Sequence, residues 1–228
     1  QPPVTGFHLC CASYLNPPLN KINREVIALW SGVLRAVPGS RLQMAGMPAN
    51  GAPEELLQWF AAEGIAEDRL IFYPRSGFSE YLKLHNQVDF CLDTFPYTGG
   101  TTTLHALWMG VPTLTIGGHA YPSYQGALML HQVGLEDYFV ANNKEDFIIK
   151  ALFLVKNQIF LQDARFKLRN YLVDGYSASL KAVVDSFSLA FQMTWQGWCE
   201  GEKPRSIRID NSDINFDPCF VNYSDVIQ

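Results

Sequence analysis

The chain has 228 residues, 48% hydrophobic, 13% aromatic and 17% charged, enough apolar side chain for a sizeable core and too much for a disordered segment. A net charge of -5, with scattered lysines and arginines, offers no basic stripe to a nucleic-acid backbone. No apolar run approaches the roughly 18 residues of a membrane span. The five cysteines are odd in number and lack CxxC spacing, so they read as reduced thiols of a cytoplasmic protein, with Cys91 buried in a strand. Gln1-Pro2-Pro3 is neither an initiator methionine nor a signal peptide, and the chain is expected to begin inside a longer protein.

Strand and helix signals then alternate. Val4 to Ser13 is apolar enough for a buried strand, and Asn23 is placed to cap a helix through Val37, closed by Pro38-Gly39. A short strand at Arg41–Met44, a helix at Pro53–Glu63, a strand at Leu70–Tyr73 and a helix at Phe78–Asn86 follow. Val88–Leu92 reads as a buried strand, Asp93 to Gly100 as a loop, and Thr101–Met109 as a helix stopped by Gly110. Thr113–Ile116 is the next strand, Ser123–Gln132 a helix, and Tyr138–Val140 the last short strand. Three helices are expected beyond, at 144–157, 162–171 and 177–196. The alternation predicts an α/β fold, a Rossmann-like doubly wound parallel sheet followed by C-terminal helices. The expected division is a Rossmann-like core at 1–142, helices packing on it at 143–200, and a polar tail at 201–228.

Open parallel sheets bind ligands beyond the carboxyl ends of their strands. The segment best suited to that is Asp93-Thr-Phe-Pro-Tyr-Thr-Gly-Gly-Thr-Thr-Thr103, between a strand and a helix. Gly99 and Gly100 allow a tight turn and close backbone approach. Thr101, Thr102 and Thr103 add hydroxyls and free amides at the positive end of a helix, a chemically sensible pyrophosphate cradle. It is neither a Walker loop nor a GxGxxG turn. The residues alone leave a plainer reading open, in which Gly-Gly makes a turn and Thr101 only caps a helix.

The flanks of that turn carry a resemblance. The stretch His85-Asn-Gln-Val-Asp-Phe-Cys-Leu-Asp-Thr-Phe-Pro-Tyr-Thr-Gly-Gly-Thr-Thr-Thr103, then Leu107-Trp-Met-Gly-Val-Pro112, resembles the donor-site signature of the protein O-GlcNAc transferase family, which includes bacterial tetratricopeptide-repeat members and plant Spindly-type enzymes. Lys21-Ile-Asn23, Leu34-Arg-Ala-Val-Pro-Gly-Ser40 and Met193-Thr-Trp-Gln-Gly-Trp-Cys199 extend the likeness over about residues 4–200. It implies the second, donor-binding half of a GT-B glycosyltransferase, using a nucleotide sugar, preferably UDP-GlcNAc, without a metal or other cofactor. It also implies partners: an N-terminal acceptor half and tetratricopeptide repeats upstream, and a protein acceptor, with no nucleic acid or membrane. Activity is expected only within a longer enzyme, this segment being inactive alone.

Carried over residue by residue, the resemblance assigns Lys21 to the donor phosphates and leaving diphosphate, and Gly99, Gly100, Thr101, Thr102 and Thr103 to the phosphate turn. Gly100 stands where vertebrate members have His. His105 falls where many members hold the ribose hydroxyls with an acid. Ser76 matches a residue whose backbone pairs with uracil. Phe78, Tyr81 and Leu84 replace the Lys, His and Arg of vertebrate members, with Phe78 or Tyr81 able to stack on the base. Uridine and guanosine thus both stay open. Ser123 matches a residue facing the sugar, with Tyr124 in place of the usual Arg; His119 is a weak further candidate. Asp93 reads as an acceptor that fixes the loop. Two other readings stand beside this one: a non-catalytic nucleotide-binding or scaffold domain left by truncation or decay, and an unrelated Rossmann enzyme such as an epimerase, which would want a GxxGxxG and a Tyr-x-x-x-Lys that are absent.

Overall fold

The computed structural model describes residues 8–11, 21–49, 54–203 and 205–209, the first group as backbone only. Six strands form one parallel sheet in the order β3-β2-β1-β4-β5-β6. They are β1 (His8–Cys11), β2 (Arg41–Met47), β3 (Leu70–Pro74), β4 (Phe90–Leu92), β5 (Thr113–Ile116) and β6 (Val140–Ala141). The expected doubly wound α/β fold is the one found. The order reverses between β1 and β4, which pair directly, Leu9 with Phe90 and Cys10 with Cys91. A sheet of this topology opens a crevice at that reversal, beyond the carboxyl ends of those two strands. Cys91 lies buried in β4, and it and Cys199 are free thiols.

The helix α1 (Arg24–Ala36) begins where Asn23 accepts a 2.9 Å hydrogen bond from the Val26 amide. Its apolar stripe, including Val26, Trp30, Val33 and Leu34, is buried. The Arg69 guanidinium closes its far end by donating to Leu34 O (3.0 Å), Val37 O (3.2 Å) and Ser40, carbonyls that a helix end leaves unpaired. The other elements of the core are α2 (Glu54–Ala62), α3 (Phe78–Leu84) with a 3-10 turn at His85–Gln87, α4 (Thr101–Trp108), α5 (Tyr121–Gln132) and α6 (Glu136–Phe139). The helix α7 (Lys144–Lys156) lies against α1 and β5, close enough that a Cβ on Gly32 would come within 2.9 Å of Ile148.

Two expectations are corrected. Tyr138 and Phe139 are helical, not extended: the acidic start Glu136-Asp137 favours a helix N-terminus, and Phe139 donates back to Leu135 O at 3.1 Å. The last strand is therefore only Val140–Ala141. The two helices expected at 162–171 and 177–196 are one, α8 (Gln158–Cys199). Asp174-Gly175 lies between the two expected segments, but a glycine inside a helix costs only about 1 kcal/mol, and no proline interrupts this stretch.

The chain divides into two compact units, Gln1–Arg169 and Asn170–Gln228. In the first, the opening turns of α8 are pinned by Arg165, which donates to the Val88 and Asp89 carbonyls. Arg169 donates to Trp108 O at 3.2 Å and lies over its ring. Gly110, at φ +74, has the Arg165 carbonyl 2.7 Å from where a Cβ would stand, which requires glycine there. The second unit carries the rest of α8, where an exposed stripe runs through Val184, Phe187, Phe191, Trp195 and Trp198. No helix among the described residues is long and apolar enough to cross a membrane.

Candidate functional site

The loop from Asp93 to Gly100 leaves the carboxyl end of β4, at the reversal of strand order. The buried carboxylate of Asp93 organises it. One oxygen accepts from the amides of Thr94 and Gly99, both at 2.8 Å, and the other from the Thr115 hydroxyl at 2.8 Å. Burial pushes this carboxyl up from its ordinary range, while the hydrogen bonds from Thr115, Gly99 and Thr94, and then the charge of Lys21, act in the opposite direction. Three donors converging on it call for the carboxylate, which only accepts. The Trp30 indole donates to Asp93 O at 3.0 Å, tying the loop to α1.

A second anchor is Thr98. Its amide donates to Pro122 O at 2.9 Å and its hydroxyl to the same carbonyl at 3.1 Å, while the Gly126 amide donates to that hydroxyl at 3.2 Å. The loop is thereby locked to the start of α5. A Cβ on Gly126 would come within 2.7 Å of the Asp93 carboxylate, so the two anchors share one tightly packed layer.

Lys21 comes from the other side of the reversal, ahead of α1. Its ammonium donates to Thr98 O at 3.2 Å and stands 4.0 Å from the centroid of the Tyr97 ring. A cation is thus held against the loop that opens α4. Gly100 is the N-cap of α4 and offers no side chain to its free amides. Along the first turn Thr101 is exposed, Thr102 half-buried and Thr103 buried. The Thr103 hydroxyl lies 2.5 Å from where a Cβ on Gly99 would be, under the turn and not above it. Over Gly100 lies the Gln125 carboxamide, 2.5 Å from the corresponding Cβ position. The Ser123 hydroxyl caps its own helix, accepting from the Ala120 amide (3.2 Å) and donating to Ala120 O (2.8 Å). His119 is exposed.

One turn along α4 from Thr101, His105 meets a second cluster. Its ring packs edge-on against Phe78 (5.1 Å between centroids) and Tyr81 (5.7 Å), both on α3. Tyr81 in turn meets His85 at 5.1 Å. Tyr81 is only 2% exposed, whereas Phe78 is 45% exposed, so Phe78 alone of the two presents a ring to an incoming ligand. Burial lowers the pKa of His105 and, with small opposition from the Tyr81 and Leu82 carbonyls, that of His85. The buried Nδ1 of His105 and Nε2 of His85 have no hydrogen-bond partner among the described residues. Ser76 is exposed in the loop between β3 and α3.

The structure thus brings Lys21, Gly99, Gly100 and Thr101–Thr103 to one turn, and Phe78, Tyr81 and His105 to one recess, joined through α4. Ser123 lies next to Pro122, which takes the Thr98 bonds. Three contributors escaped sequence reasoning. Tyr97 and Thr98 lie inside the Asp93–Thr103 segment and Gln125 beside Ser123, but none of the three had been given a role of its own. Only the fold places them beside Lys21 and Gly100. No group of three or more His, Cys, Asp or Glu that could hold a metal occurs among the described residues.

A model of the glycosyl transferase family 41 matches residues 11–182. The probable UDP-N-acetylglucosamine–peptide N-acetylglucosaminyltransferase SPINDLY of Oryza sativa subsp. japonica is 30% identical over 224 residues, 97% of this chain and 24% of that protein. A mutant of the Thermobaculum terrenum O-GlcNAc transferase superposes with a TM-score of 0.74 at 27% identity, over 88% of this chain and 38% of that one. WaaG, a glycosyltransferase involved in lipopolysaccharide biosynthesis, shares the fold at a TM-score of 0.52 and 16% identity, over 74% of this chain and 43% of that one. These neighbours are GT-B glycosyltransferases. The chain spans about a quarter of the length of the curated relatives it matches.

Proposed function

We propose that this chain, which belongs to glycosyl transferase family 41, is the donor-binding half of an inverting glycosyltransferase that moves a sugar, GlcNAc by preference, from a nucleoside diphosphate to protein Ser or Thr. The observation that carries this reading is Lys21, held at Thr98 and Tyr97 beside the open N-terminus of α4. An acceptor hydroxyl would attack the anomeric carbon, the bond to the diphosphate oxygen would break, and negative charge would build on that oxygen. The Lys21 ammonium and the amides of Thr101 and Thr102 are the groups suited to meet it. The hydroxyl proton passes to a base that we assign to the acceptor half of a longer protein. In this reading residues 1–142 carry the nucleotide-sugar site, no metal is required, and this segment alone is inactive.

Relatives named as UDP-GlcNAc–peptide transferases favour UDP-GlcNAc as donor. Phe78 is the candidate platform for the base, with His105 behind it toward the ribose; Tyr81 supports both from within the packing. Ser76 is assigned to the base through its backbone, and Ser123 to the sugar side.

Calorimetric titration of the purified chain with UDP, GDP and uridine tests this. UDP is expected to bind better than GDP, and chelation of divalent metal should leave its affinity unchanged. Lys21→Ala should weaken UDP about ten-fold or more, as loss of a charge-assisted hydrogen bond does, and leave uridine unaffected. Thr101→Ala should weaken UDP by a smaller factor. A Lys21→Ala chain that binds UDP as the parent does would overturn the assignment. A parent that binds no nucleotide would favour the non-catalytic scaffold, a reading for which the replacement of polar base contacts by Phe78 and Tyr81 speaks.

A further inference from the structure

A lysine is a poor fixed charge unless something holds it. Its four rotatable bonds carry rotamer freedom that a ligand must otherwise freeze. Lys21 lies outside any helix, just ahead of the Asn23 cap. Among the groups at its head are the Thr98 carbonyl at 3.2 Å and the face of Tyr97 at 4.0 Å from the ring centroid. The carbonyl belongs to a residue tied by three hydrogen bonds to the start of α5. The Tyr97 backbone is held from both sides, since the Thr94 hydroxyl donates to Tyr97 O at 2.7 Å and Thr98 follows directly. Yet the Tyr97 ring itself is 48% exposed and fills no core position.

We infer that Tyr97 is a positioning residue: its ring face holds the Lys21 ammonium at the α4 turn and so prepares it for the diphosphate. A side chain half in solvent adds little to folding. What it supplies is a quadrupole under a cation, attractive within about 6 Å of the ring centroid. The phenol oxygen has no part in that attraction, so phenylalanine should do the same work and leucine, of similar bulk, should not. The diphosphate half of the inference rests on the donor-site reading above; the hold on Lys21 does not.

The test uses the purified chain with Tyr97→Leu and Tyr97→Phe. In NMR spectra the Lys21 side-chain methylene protons next to the ammonium should lie upfield, shifted by the ring current, in the parent and in Tyr97→Phe, and return to ordinary lysine positions in Tyr97→Leu. UDP affinity should fall roughly two- to five-fold in Tyr97→Leu, the range of an exposed cation–π contact. It should be rescued in Tyr97→Phe, with uridine affinity the same in all three. Unchanged Lys21 resonances in Tyr97→Leu overturn the inference, as does a UDP loss in Tyr97→Leu matched by an equal loss for uridine. If Lys21→Ala binds UDP normally, the donor-phosphate reading falls and with it the diphosphate half, while the Lys21 resonances still decide whether Tyr97 holds the ammonium.

Discussion

The turn proposed for the phosphates and the aromatic cluster, called the recess, share the helix α4 but are built on different principles. The turn is a backbone device. Its amides are aimed by a buried carboxylate and a buried threonine, and its side chains are mostly supports. The recess is a side-chain device, in which Phe78, Tyr81, His85 and His105 pack ring against ring. A backbone device tolerates few substitutions at its supports and many at its rim. A side-chain device can be rebuilt residue by residue, and its chemistry changes as it is. On the proposed reading, the turn should keep its ligand class while the aromatic cluster sets which base enters.

That contrast is broken most severely at Asp93. Asp93→Ala leaves the Thr94 and Gly99 amides and the Thr115 hydroxyl without their acceptor inside the protein. Orphaning a buried network of this kind costs about 3–5 kcal/mol. Urea unfolding should register that loss, and UDP binding should disappear in the fraction that remains folded. A variant as stable as the parent would mean that the turn is not organised from beneath.

Next comes Gly99→Ala. The added Cβ would stand 2.5 Å from the Thr103 hydroxyl and 3.2 Å from the Asp93 carboxylate, and such overpacking costs about 1–3 kcal/mol. At Gly100 the same change meets only the end of the Gln125 side chain, which can swing away. Gly100→Ala should therefore unfold within about 0.5 kcal/mol of the parent. Equal losses at the two glycines would show that the layer is less tightly fixed than its geometry says.

The sheet, α1 with its Asn23 cap and the Gly-Gly-Thr-Thr-Thr turn were legible in the sequence because each is specified locally, by periodicity, a capping residue or glycine. Asp93 was legible as an acceptor from its place after a buried strand. The continuity of α8 was not, because one glycine weighs little against 42 helical residues. Nor was the short helix ahead of β6, where the acidic start Glu136-Asp137 competes with the strand-favouring Tyr138-Phe139 over only four residues. In the site, Tyr97 under Lys21 escaped notice because the two are separated by the whole of β2, β3 and β4 and meet only where the sheet reverses. Tyr81 was read as a possible base platform because i, i+3 spacing from Phe78 does not say which ring points inward. The fold answers that by burying Tyr81.

The recess has its own signature in pH. His85 donates from Nδ1 to the Tyr81 and Leu82 carbonyls, at 3.3 Å each, and its Nε2 is buried without a partner among the described residues. Burial holds its pKa below the ordinary histidine value. The unfolded chain therefore takes up a proton that the folded chain refuses. This contribution is absent above the ordinary histidine pKa, and stability is lost as pH falls from there toward the lowered folded value, at no more than about 1.4 kcal/mol per pH unit. Urea midpoints taken from pH 7 downward should show this decline, and His85→Leu should flatten it.

The smallest effect is the most discriminating. Phe78 is nearly half exposed and stacks at 6.4 Å on Tyr81, so Phe78→Ala removes a rim ring and little core. Stability should change by under about 0.5 kcal/mol. If the ring is the platform for the base, uridine and UDP should weaken by the same factor, roughly two- to ten-fold for an aromatic stacking contact. That pattern is the converse of Lys21→Ala, which should weaken UDP and spare uridine. With the two variants combined, the losses for UDP should multiply, because the ammonium and the ring meet different parts of one ligand. A Phe78→Ala chain that discriminates against UDP but not uridine would merge the recess with the turn. The division between a backbone site for the phosphates and a side-chain site for the base would then have to be given up.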